Sequence, residues 1–64
     1  MGNIFIIFVH HLDVPGTSRA YRGDNRNIVV HETRAEVEAA AAALTAANKS
    51  PNISFTVTEF EPND

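Results

Sequence analysis

Sixty-four residues with eight acidic and five basic side chains carry a formal net charge of −3. Nucleic-acid-binding domains are typically strongly basic over a whole face, so this balance argues against such a role for the body of the molecule. The chain has no Cys, which excludes disulfides and thiolate metal centres. One domain spanning 1–64 buries only about 60% of its unfolded surface, so part of its stability is expected to come from association.

Residues 3–11 read as the first strand. "IFIIFV" is rich in β-branched and aromatic side chains and has no helix breaker. It has no basic leader, is shorter than a signal core, and falls far short of the roughly 20 apolar residues of a bilayer span. A soluble, cytoplasmic protein with no membrane partner is expected. Both faces of the strand are apolar: Ile4, Ile6 and Phe8 point one way, Phe5, Ile7 and Val9 the other. Such a strand belongs in mid-sheet.

Residues 13–27, "DVPGTSRAYRGDNRN", form a long polar connection. It holds Arg19, Arg22 and Arg26, the single Tyr of the chain, and two of its three Gly. Pro15-Gly16 marks a turn, with Gly at the position that takes positive φ. Gly23-Asp24-Asn25 marks a second. "NIVVHE", residues 27–32, is the second strand.

Thr33-Arg34-Ala35-Glu36 fits a capping box that opens a helix running to about Asn48. Ala dominates the helix and favours it. Val37, Ala40, Ala41, Leu44 and Ala47 follow helical spacing and form its buried stripe. Asn48 is expected as a left-handed cap, with Pro51 as the stop. In residues 53–60, the third strand, Ile53, Phe55 and Val57 alternate with Ser54, Thr56 and Thr58, so the apolar set should face inward. "EPND" is the tail.

The predicted fold is α+β in the order ββαβ: a three-stranded antiparallel sheet, spatial order 2-1-3, with one Ala-rich helix packed on one face. The central place goes to the most apolar strand, because on an edge it would invite aggregation. The second strand is expected to add Ile28 and Val30 to the helix side. One helix covers one face, so one triplet of the first strand remains uncovered. That triplet, Ile4, Ile6 and Phe8 or else Phe5, Ile7 and Val9, is the expected homodimer interface.

Little in the chain points to catalysis or a cofactor. There is no glycine-rich phosphate loop and no nucleophile-elbow motif. Ser18 could approach His10 or His11, a weak signal for an enzyme. His10 and His11 point to opposite faces of a strand. Symmetric closure of the connection would set His11 opposite Asn27 and His31 opposite Ile7, about 13 Å along the strand from His11 at ~3.3 Å per residue. No metal, cofactor or catalytic residue is assigned.

The connection is the leading candidate surface. Arg19, Tyr21, Arg22 and Arg26 supply guanidinium forks and one aromatic face, residue types enriched at binding hot spots. The expected function is a small, non-enzymatic binding or inhibitory protein acting on a protein partner. The alternative is a nucleic-acid-binding regulator that presents this basic loop to phosphates. The layout, "TRAEVE" opening an Ala-rich helix before a Thr-rich strand and an acidic end, looks like that of many small bacterial and phage proteins, and some phage-encoded inhibitors of host defence, anti-CRISPRs among them, are similarly small, acidic, Cys-free α+β chains. The similarity implies a phage or mobile-element protein and assigns no residue a role.

Overall fold

In the computed structural model, residues 2–62 are described. Met1 lies outside them, as do Asn63 and Asp64 of the predicted tail. The elements are β1 (Ile4–His11), β2 (Arg19–Ala20), β3 (Val30–His31), α1 (Arg34–Ala47) and β4 (Ile53–Phe60). The class is α+β with β1 central, as expected, but the sheet has four strands rather than three.

The extra strand comes from the connection. One edge of β1 pairs with β4 along all eight residues, from Ile4 opposite Phe60 to His11 opposite Ile53. The other edge is shared by two short strands. β2 lies antiparallel to the end of β1, with Phe8 opposite Ala20 and Val9 opposite Arg19. β3 lies antiparallel to its start, with Phe5 opposite His31 and Ile6 opposite Val30. Between them Tyr21 stays on the sheet, its N–H donating to the Ile7 carbonyl at 2.7 Å.

The predicted loop is therefore two loops. A turn across 12–18 reverses the chain, and Gly16 takes φ +79° where positive φ was expected. A second excursion, 22–28, closes on itself. Arg22 pairs with Ile28, Gly23 N–H donates to Asn27 O at 3.0 Å, and Arg26 N–H donates to Gly23 O at 2.9 Å. Backbone groups beside a buried strand need partners. Arg19, Ala20 and Tyr21 fill part of β1's second edge, which a free loop would have left bare.

This pairing corrects the symmetric register. His31 stands opposite Phe5 rather than Ile7, and His11 opposite Ile53 on β4 rather than Asn27. Six positions of β1 then separate His31 from His11, about 20 Å at ~3.3 Å per residue.

Helix α1 covers one face. Thr33 caps it, the hydroxyl accepting from the Glu36 N–H at 3.2 Å. Val37 is fully enclosed, and Ile7 and Phe5 are 2% and 7% exposed. Tyr21, Ala40, Ala41, Leu44, Phe55 and Val57 pack around these three. The helical positions are those of the predicted stripe, apart from Ala47, which is exposed. The Arg34 guanidinium lies 5.3 Å from the Phe5 ring centroid and pairs with Glu59, closing the rim of this face.

The helix does not end in a left-handed residue. Asn48 has φ −74° and ψ 129°; its backbone N–H donates to the Leu44 carbonyl, and its side chain organises the turn that follows. Its Oδ1 accepts from Ser50 N–H at 3.1 Å, and its Nδ2 donates to the carbonyls of Ser50 and Ile53. One amide thus ties the end of α1 to the start of β4.

Candidate functional site

The register identifies the uncovered triplet. Phe5 and Ile7 lie under α1 with Val57 and Phe55 packed against them, and Val9, opposite Phe55, shares that side of the sheet. Side chains alternate along a strand, so Ile4, Ile6 and Phe8 lie on the opposite face, beside Phe60, Thr58 and Thr56. Val30, opposite Ile6, joins them. No described element packs on this face: α1 is the one helix, and it lies on the other side.

The result is an apolar patch. Ile4 is 38% exposed, Phe60 39% and Val30 48%. The rings of Phe8 and Phe60 lean together over the sheet, centroids 6.4 Å apart at a tilt of 40°. Ile28, also exposed, lies in the excursion. The expectation that Ile28 and Val30 face the helix is overturned. Val30 is registered with Ile6, and β4 sets Val57 and Phe55 opposite Ile7 and Val9 on the helix side, so the even residues of β1, and Val30 with them, take the uncovered face.

The register pairs on this face, Ile4–Phe60, Ile6–Thr58, Phe8–Thr56, His10–Ser54, Phe8–Ala20 and Ile6–Val30, contain no carboxylate, Lys or Arg. Glu36 and Glu38 lie on α1 and Glu59 on the helix side of β4. The paired positions of this face are therefore apolar or uncharged, and the carboxylates of α1 lie on the other side.

The four residues of the basic loop do not form one surface. Arg19 is exposed on β2, on the helix side with Val9. Together with His11, Val14 and Thr17 it lines an open depression of about 270 Å³. Tyr21 is half-buried against the core. Arg22 turns back and donates from Nη1 to the Arg26 carbonyl at 2.9 Å, closing its own loop. Arg26 holds φ +66° at the tip.

Ser18 does reach His10. The His10 Nδ1 lies 2.6 Å from Ser18 Oγ, and Nε2 lies 2.7 Å from Thr56 Oγ1. A neutral imidazole donates through one nitrogen and accepts through the other, so the two hydroxyls complete its hydrogen bonding. The arrangement ties the 12–18 turn across β1 to β4 at the rim of the apolar face. Among the described residues no group of three or more His, Asp or Glu is placed to hold a metal ion, and no helix is long and apolar enough to cross a membrane.

No family model, curated protein or solved structure matches the chain.

Proposed function

We propose that this chain is a small, non-enzymatic binding protein that acts on a protein partner and self-associates as a homodimer through the uncovered sheet face. The observation that carries the reading is the patch of Ile4, Ile6, Phe8, Val30 and Phe60 opposite α1. Full burial of an Ile or Phe contributes roughly 1.5–3 kcal/mol, a large share of the stability of so short a chain. A two-fold contact sets the same patch against itself. It also keeps the carboxylates of α1 on the outer layers, so the negative charge of each copy opposes association weakly.

Arg19 and Arg26 remain the side chains offered to a protein partner, with Tyr21 and Arg22 holding them in place. A cytoplasmic inhibitor of the small phage-encoded kind fits this description. The depression lined by Arg19 and His11 favours one second reading, a regulator that binds nucleic-acid phosphates at this end of the sheet.

Two experiments test the proposal. In sedimentation equilibrium, Ile6→Asp should halve the mass of the wild-type species while circular dichroism still reports a folded chain. A wild-type protein that remains a folded 7.0 kDa monomer at millimolar concentration refutes self-association. For the partner, binding should survive nuclease and depend weakly on salt. Binding that is lost with nuclease and falls steeply with salt supports the nucleic-acid reading.

A further inference from the structure

The two edges of the sheet are unlike each other. The edge of β1 away from β4 carries two strands of two residues each, interrupted by the 22–28 excursion. Short, broken strands are a usual defence against edge pairing. β4 has no such defence. It runs eight residues, Ile-Ser-Phe-Thr-Val-Thr-Glu-Phe, in unbroken register with β1. Its one charge, Glu59, is engaged by Arg34 and Asn3. Pro51 and Pro62 lie just beyond its two ends.

The hydrogen-bond phase shows which groups face outward. Tyr21 N–H donates to Ile7 O, so the odd residues of β1 turn their backbone groups toward β2 and β3. The even residues then bond β4, through Ser54, Thr56, Thr58 and Phe60. On β4 the odd residues face out. Ile53 is served locally, its N–H by Ser50 O and its carbonyl by Asn48 Nδ2. For the N–H and C=O groups of Phe55, Val57 and Glu59 there is no partner among the described residues.

We propose that β4 pairs antiparallel with β4 of a second copy about a two-fold axis at Val57, joining two sheets into one. Three outward residues per copy allow one register that uses all of them: Val57 opposite Val57, and Phe55 opposite Glu59 in both directions. Thr56 then stands opposite Thr58, a favourable cross-strand pair, and no like charges oppose each other. With one edge open and the other defended, pairing stops at two copies. Growth of a fibre needs two open edges.

Edge pairing rests on the proposed apolar face and enlarges it. Eight residues at ~3.3 Å and three rows at ~4.8 Å give a face of roughly 400 Å², about half the ~800 Å² per partner of a stable interface. Edge pairing leaves both helices on one side and places the two apolar patches side by side on the other, near that size. Two such pairs, stacked patch to patch, close as a tetramer.

The test is a synthetic chain carrying a methyl group on the Val57 amide nitrogen. The modification keeps the half-buried side chain and blocks one outward donor, which serves no bond inside the described chain. Wild type should sediment at four times the 7.0 kDa chain mass. The N-methyl chain should reach no more than two, and Ile6→Asp should stop at two. Hydrogen exchange supplies a second readout: the Phe55, Val57 and Glu59 amides should be protected in wild type and in Ile6→Asp, and lose protection on dilution. An N-methyl chain with wild-type mass, or fast exchange at those three amides in concentrated wild type, overturns edge pairing. Loss of mass on N-methylation but not in Ile6→Asp upholds the edge and overturns the face.

Discussion

Single residues in the connection act in ways their types do not announce. Arg19, Tyr21, Arg22 and Arg26 are grouped in sequence and look like one contact surface. In space Tyr21 belongs to the core, Arg22 clamps its own loop, and Arg19 and Arg26 remain exposed. Composition cannot separate them, because the difference lies in pairing with β1, and "RAY" carries no alternation that would mark it as a strand. The one local signal is Tyr21 itself, a good strand former inside a polar run. Tyr21→Ser should therefore destabilise the fold by about 1–3 kcal/mol in urea unfolding, through lost packing around Phe5 and Ile7. Arg19→Ser should change stability by less than about 0.5 kcal/mol. Equal effects of the two would place Tyr21 back in solvent. Arg26, at φ +66°, should tolerate Gly better than Val by about 1 kcal/mol or more, since a β-branched side chain is poorly suited to that conformation.

At the scale of elements, the regular parts were legible and the irregular ones less so. β4 occupies the predicted residues because strict alternation of Ile53, Phe55 and Val57 with Ser and Thr has one solution. α1 begins where Thr33 can cap it. Its end differs in kind: Asn48 is extended, and its side chain braces the turn into β4, a contact that depends on where Ile53 comes to rest. The uncovered triplet of β1 was undecidable from sequence, because both triplets are equally apolar and the choice turns on register with β4. Thr33→Ala should cost about 1 kcal/mol of stability by removing the cap. Amide exchange should be slowest for the inner amides of β1 and among the fastest in the 22–28 excursion, whose hairpin closes on itself. Protection of the excursion equal to that of β1 would mean that it is covered in a way the described chain does not show.

At the scale of the whole molecule, one helix is asked to cover a sheet whose central strand is apolar on both sides. The helix side is complete: Val37 is fully enclosed, and Ile7→Ala beneath it should cost about 2–5 kcal/mol, enough to unfold much of so small a domain. The other side offers Ile4, Ile6, Phe8, Val30 and Phe60 to solvent. The central claim is that a second copy covers them. A mixed sample, half isotope-labelled and half unlabelled, tests it by isotope-filtered nuclear Overhauser spectroscopy at millimolar concentration. Intermolecular contacts should appear among the side chains of Ile6, Phe8 and Val30 and be absent for Val37 and Leu44. A folded protein with no intermolecular contact to Ile6, Phe8 or Val30 would contradict the account.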